Sequence, residues 1–187
     1  MVGFGRDQRP SAVKTRRPGT RAMRKKGPEE VSDMKCKERL EKYLQENDVP
    51  FELLAHSQAY TMQEVAAALH VPGTQVAKVV IVKADGEIVM LVLSAPARVD
   101  FRKVRALLGA KEVSLAKEGE FAGLFADCAT GAMPPFGDLY GVTVYVDRGL
   151  AQEANIVFRV GTHRHTMKIA YADFSRLARP ILGEFSM

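Results

Sequence analysis

Two apolar runs on either side of a tight turn constrain this chain more than any other feature. Val76-Ala77-Lys78-Val79-Val80-Ile81-Val82 precedes Ala84-Asp85-Gly86, and Glu87-Ile88-Val89-Met90-Leu91-Val92-Leu93 follows it. β-Branched residues dominate the first run and favour strands. Asp-Gly between apolar runs is a strong hairpin signal. Because the first run is apolar at odd and even positions alike, it reads as a strand covered on both faces, and Lys78 is the residue that does not fit. An unpaired ammonium is costly to bury, so Lys78 must reach a cleft, a carboxylate or an anionic ligand. Alternation places it with Val76, Val80 and Val82, and places Lys83 on the other face beside the turn, where it can reach water. Two readings of Lys78 stand: a side chain snorkelling from a sheet edge, or an anion-binding or catalytic ammonium.

The segments around the hairpin predict an α+β domain. Leu40, Tyr43 and Leu44 form an apolar stripe on a helix over residues 36–47, which Asp48 to Pro50 break before a strand over 51–55. Thr61-x-x-Glu64 is a capping box for a helix through Val65 and Leu69, and Pro72-Gly73 terminates it. Asp100 caps a helix bearing Val104, Leu107 and Leu108, and Gly109 stops it. A short helix is expected over 118–125, strands over 142–146, 156–160 and 166–170, and a last helix over 172–177. Strands adjoin one another more often than they alternate with helices, which favours an antiparallel or mixed sheet over a doubly wound one.

The 187 residues, 47% of them hydrophobic, suffice for one domain with a sizeable core plus an extension. No stretch approaches the roughly 18 uninterrupted apolar residues of a membrane span. The N-terminus lacks the apolar segment of a secretory signal, so the expectation is a soluble, cytoplasmic protein. The net charge of +5 is unevenly spread. Residues 1–33 hold nine Lys and Arg against four acids, so the basic excess lies wholly there and the remainder is neutral. That Gly-, Pro- and Arg-rich tail is expected to be disordered, and it reads either as an RNA-phosphate contact or as an incidental extension ahead of Met34. Residues 34–187 are expected to form the folded domain.

Three further constellations carry possible chemistry. Gly131-Ala132-Met133-Pro134-Pro135-Phe136-Gly137 cannot be regular structure, since two prolines remove consecutive donors. Such a loop can aim backbone N–H groups at a ligand oxygen, or it can be a structural turn; Phe136 can be a pocket wall or ordinary core. His163 and His165 share one side if extended, but no third ligand follows, so His163 is read as a polar pocket group and no metal is assigned. Ser94, His163 and Asp147 lack the elbow motif of a hydrolase triad. Cys36 and Cys128 lie far apart without metal-like spacing and are read as two free thiols.

The order of these pieces resembles the YbaK/EbsC family, which occurs inserted in bacterial prolyl-tRNA synthetases and as free-standing aminoacyl-tRNA deacylases. The resemblance is carried by Glu64-Val65-Ala66-Ala67-Ala68-Leu69, Val71-Pro72 with Gln75-Val76-Ala77-Lys78, Leu91-Val92-Leu93 leading to Arg98-Val99-Asp100, the Gly131 to Gly137 loop, and Gly161-Thr162-His163. It implies an α+β fold with a mixed, largely antiparallel, barrel-like sheet and surrounding helices. It implies hydrolysis of the ester joining a wrong amino acid to the 3′-terminal adenosine of a tRNA, with no cofactor, by water that the substrate's own hydroxyl can activate. Mischarged tRNA is the implied partner, with an aminoacyl-tRNA synthetase as a further one and no membrane.

By the same resemblance Lys78 and Gly131 are the catalytic residues. Lys78 would engage the terminal phosphate or the aminoacyl group, and the Gly131 backbone would position the ester carbonyl. Tyr60, Thr61, Pro134, Phe136, Gly161, Thr162 and His163 are the implied substrate contacts. Val79 departs from the family, where a polar residue commonly follows the lysine. Two rival readings use the same residues: a non-catalytic module that binds aminoacyl-tRNA or a synthetase, and a Schiff-base enzyme acting through Lys78.

Overall fold

The computed structural model describes residues 35–55 and 61–187, and the basic tail and Tyr60 lie outside these. Helix α1 (Cys36–Glu46) leads to strand β1 (Glu52–Ala55) and, after Thr61, to α2 (Met62–Leu69). The hairpin follows as β2 (Ala77–Ala84) and β3 (Glu87–Ser94), then α3 (Phe101–Leu108), β4 (Val113–Leu115) and the short α4 (Glu118–Phe121). The last third contains β5 (Thr143–Asp147), β6 (Asn155–Arg159), β7 (His165–Ala170), α5 (Tyr171–Ala178) and β8 (Ile181–Gly183).

Local chemistry accounts for the punctuation. Asp85 and Gly86 both have positive φ, 48° and 97°, as the two-residue turn that suits a twisted hairpin requires. The capping box at Thr61 is complete: Thr61 Oγ1 accepts from Glu64 N at 3.2 Å, and Glu64 Oε2 accepts from Thr61 N at 3.0 Å. The Asp100 carboxylate accepts from Arg102 N and Lys103 N, and α3 ends at Gly109. The capping stretch from 70 to 73 ends α2 slightly earlier than Pro72-Gly73 suggests, because His70 takes the left-handed conformation at φ 53°.

The strands form two sheets. One has the order β1-β7-β6 and is antiparallel; the other has the order β4-β2-β3-β5-β8. The larger sheet is mixed, since β3 pairs with β5 and β5 with β8 in parallel. A parallel bridge between Val76 and Val157 joins the sheets. The expected mixed α+β fold is therefore present, although the sheets do not close into a barrel. β4 and β8, of three residues each, were not expected from the sequence, being too short to display alternation.

Three apolar clusters form among the described residues. The largest contains Leu40, Leu44, Ile81, Phe136, Phe158 and Phe174, between the two sheets and against α1 and α5. A second, under α2, unites Met62, Val65, Val76, Ala95 and Val157. The third holds Val82, Leu91, Leu93, Val104 and Phe185 beneath α3. Among the described residues no helix is long and apolar enough to cross a membrane.

Asp147 pins the C-terminus. Only 3% exposed, its carboxylate accepts from Gly149 N (3.0 Å), Phe185 N (2.9 Å), Ser186 N (2.9 Å) and Ser186 Oγ (3.0 Å). It is thereby committed to structure rather than to a triad. Asp147→Ala should cost on the order of 3 kcal/mol in urea unfolding, because it strands buried N–H donors. A loss under about 1 kcal/mol would show that water replaces the carboxylate.

Candidate active site

The site is built where the two sheets join. Val157 N donates to Gln75 O (2.9 Å) and Ala95 N to Val76 O (2.7 Å), so the start of β2, the end of β3 and the middle of β6 are stitched together. Two residues beyond the bridge stand Lys78 on β2 and Arg159 on β6, each on the face of its bridged valine.

Lys78 is half-buried beside Leu93, its cross-strand partner. Its ammonium donates to Ala95 O at 3.0 Å and also to Ala97 O. An ammonium has three N–H groups, so one is left without a partner among the described residues. Burial, followed by repulsion from the exposed Arg98, lowers the Lys78 pKa. Neither cation forms an ion pair with a carboxylate among the described residues. Of the three outlets expected for Lys78, no carboxylate is met among the described residues; backbone carbonyls hold the ammonium, and the arrangement can attract an anion.

Ala95 O also accepts from Gln63 Nε2 on α2 (2.8 Å), which ties Lys78 to the helix that Thr61 caps. Arg159, 5% exposed, then links that cap to the Gly131 loop: Nη2 donates to Thr61 O (3.3 Å) and Nη1 to Gly131 O (3.4 Å). Burial lowers the Arg159 pKa, and the charge of Glu64 partly offsets this. Gly131 is exposed at φ 78°, a conformation that costs an L-residue energy, and a Cβ there would meet only His163 Cε1, at 3.7 Å. Its N–H rests on Met133 Sδ at 3.3 Å, a weak acceptor that a substrate oxygen can outbid. Gly161 N donates to Ala132 O (2.8 Å) and Ala129 N to Gly161 O (3.0 Å), which holds the two loops side by side. Lys78, Thr61, Gly131, Gly161 and His163 thus lie along one continuous line of contacts.

A family model for the aminoacyl-tRNA editing domain matches residues 56–177. The chain belongs to that family. The proline–tRNA ligase of Leuconostoc citreum (strain KM20) is 28% identical over 139 residues, covering 73% of this chain and 24% of the ligase. The chain therefore spans about a quarter of that relative's length. Two solved structures share the fold. "Hypothetical protein APE2540" aligns over 80% of this chain and all of its own, with TM-score 0.72 and 21% identity. A structure described as "a putative trans-editing enzyme for prolyl tRNA synthetase" aligns over 80% of this chain and 95% of its own, with TM-score 0.69 and 20% identity.

In this editing domain the remaining expected site residues are placed as follows. Pro134 is buried, and Phe136, 1% exposed, packs edge-on against Tyr43, Phe158 and Phe174. Of the two roles open to Phe136, the ring has the core one. Thr162 is exposed, and its Oγ1 lies 2.8 Å from His165 Nδ1. Residues 161–164 form a turn rather than a strand, so His163 and His165 are not a same-face pair. His163 stands over Gly131 instead.

Sequence reasoning missed Arg159 and Arg98. An arginine ending Ile156-Val157-Phe158-Arg159 looks like a strand leaving the core, and only the tertiary fold closes over it. Arg98 stands in the quoted Arg98-Val99-Asp100 motif, but its charge comes to act on Lys78 only when β3 folds back on β2. Because a lysine cannot span both carbonyls, Arg159→Lys should lower stability by about 1–3 kcal/mol, about 2–10 °C in Tm for a domain of this size. An unchanged Tm would refute the clamp.

Proposed function

We propose that this editing domain is a trans-acting aminoacyl-tRNA deacylase that hydrolyses the ester of mischarged tRNA. The observation that carries the reading is the line from the Lys78 ammonium, through Gln63, Thr61 and Arg159, to the exposed Gly131 loop under His163. It supplies at one end Lys78 and Arg98, which pair with no carboxylate among the described residues, and at the other an outward-facing loop. Those are the two needs of a substrate with a phosphate and an ester carbonyl at neighbouring positions.

In this scheme Lys78, with Arg98, holds the 3′-terminal phosphate. Water attacks the carbonyl carbon, and the developing oxyanion takes the Gly131 N–H from Met133 Sδ. The intermediate collapses with cleavage of the carbon–oxygen ester bond. The ribose hydroxyl recovers its proton and the free amino acid leaves. Thr61, Gly161, Thr162 and His163 border the aminoacyl group, and Pro134 shapes the loop from behind. The similarity to a proline–tRNA ligase supports charged tRNA, and a synthetase of that kind, as cytoplasmic partners.

Lys78→Ala should abolish release of amino acid, with at least about a 100-fold fall in rate, while unfolding stays within about 1 kcal/mol of wild type. Arginine at the position should not rescue it, because a planar fork cannot repeat the two carbonyl contacts of a compact ammonium. A wild-type rate in the alanine variant would sink the catalytic assignment. In a panel of mischarged tRNAs, retention of charged tRNA without release of amino acid would make the domain a binding module instead.

Gly131→Ala should slow single-turnover deacylation roughly 100- to 1000-fold while leaving tRNA affinity nearly unchanged. The reason is backbone conformation, since the space for a methyl group exists but φ 78° is strained for alanine. A normal single-turnover rate with weakened binding would make the loop a docking surface.

A further inference from the structure

The two cysteines, which sequence spacing separates, meet in the fold. Cys36 opens α1 and its N–H donates to Asp127 O at 3.3 Å, which brings the helix start against the loop that carries Cys128. The Tyr140 hydroxyl donates to Cys36 Sγ (3.4 Å) and lies 3.1 Å from Cys128 Sγ, so one oxygen touches both sulfurs. Both Sγ atoms and an Asp127 carboxylate oxygen lie within 4.8 Å of one another. Arg39, one turn along α1, places Nη2 3.0 Å from Asp127 Oδ2 and its guanidinium 4.2 Å above the Tyr140 ring.

These groups could be read as metal ligands. Arg39 argues against that, because it already neutralises Asp127 and would face a second cation at close range. Hydrogen bonds from Cys128 and then Tyr140, more than the mutually neutralising Asp127–Arg39 pair, favour a thiolate at Cys36 instead. The pair is asymmetric: the hydrogen bond from Cys128 is the main cause that lowers the Cys36 pKa, and the same contact raises that of Cys128. Cys36 is buried, yet it lines a cavity of about 270 Å³ together with Asp127, Gly161, Thr162 and His165, which gives a small oxidant a way in.

We propose that Cys36 and Cys128 are a peroxide-oxidisable dithiol that closes to a disulfide and locks α1 onto the loop preceding Gly131. The Cys36 thiolate attacks one peroxide oxygen, the O–O bond breaks, and hydroxide leaves to be protonated as water. Cys128 then attacks the sulfenic sulfur, the S–O bond breaks, and a second water departs. Two thiols are oxidised and one hydrogen peroxide is reduced to two waters. Small-molecule thiols reverse the reaction by exchange. In a reducing compartment such a bond is transient and serves sensing rather than structure.

The position of the pair gives the bond a consequence. Cys36 packs directly on Gly161, where an added Cβ would lie 3.1 Å from Cys36 Cβ. Gly161 is in turn bonded to Ala129 and Ala132, on either side of Gly131. Closing the disulfide therefore tightens the paired loops that carry Gly131 and His163.

The chain has two cysteines, so the product is unambiguous. Full-length protein treated with hydrogen peroxide should lose two hydrogen atoms in intact mass. It should also remain monomeric on a non-reducing gel, yield a Cys36–Cys128 cross-linked peptide, and regain both thiols with a small-molecule thiol. Amide exchange over residues 128–132 should slow by roughly tenfold in the oxidised form. Cys128→Ser should stop at a Cys36 sulfenic acid that dimedone traps, and Cys36→Ser should not react. Persistence of both thiols, a disulfide-linked dimer, or unchanged exchange would overturn the proposal. So would zinc retained after dialysis with both thiols blocked. None of these readouts uses tRNA, so a failure here is distinct from a failure of the deacylase reading.

Discussion

The seam at Val76 and Val157 is the constraint on which the rest of this domain depends. Neither sheet can be complete alone, because the start of β2 borrows its neighbour from the middle of β6. Both valines are fully buried in the cluster that α2 covers. Water is thereby excluded from the bridge, and its hydrogen bonds gain strength from the low local dielectric. Because the bridge is parallel, one step of alternation along both chains carries Lys78 and Arg159 away from the seam on matching faces. A register slip of one residue on either strand would send the two cations to opposite faces.

The two cations are handled differently. Lys78 is kept at modest depth by two carbonyls and retains a donor for something else. Arg159 is buried and structural: its planar fork reaches a helix cap and a loop at once. Burial depresses both pKa values, yet the roles diverge with exposure. The interior thus uses one positive charge to hold the site's frame and leaves another for a ligand. Lys78 and the neighbouring Arg98 pair with no carboxylate among the described residues, so the potential beside the seam stays positive although the sequence outside the first 33 residues is neutral.

The glycine loop shows how packing and chemistry share one stretch of chain. Its second half is anchored, with Pro134 and Pro135 buried and Phe136 among three other rings. Its first residue is exposed and conformationally restricted. The buried end fixes where the exposed end can be, so a flexible residue type is held in a defined place. The cysteine pair abuts the same loop from the side of α1.

Much of this was present in local sequence. The hairpin follows from Asp85-Gly86 between apolar runs, α2 from its capping box, and α3 from Asp100 and Gly109, because turn and cap chemistry acts over a few residues. The anomaly of Lys78 and the family of the chain were legible for the same reason: each rests on residue order. What only the tertiary structure decided are contacts between distant segments. The Val76–Val157 bridge, the reach of Arg159 to Thr61 and Gly131, the role of Phe136 as core and the meeting of Cys36 with Cys128 leave no periodic mark. They arise because burying three apolar clusters at once leaves few ways to stack two sheets, and that shared requirement sets which distant side chains become neighbours.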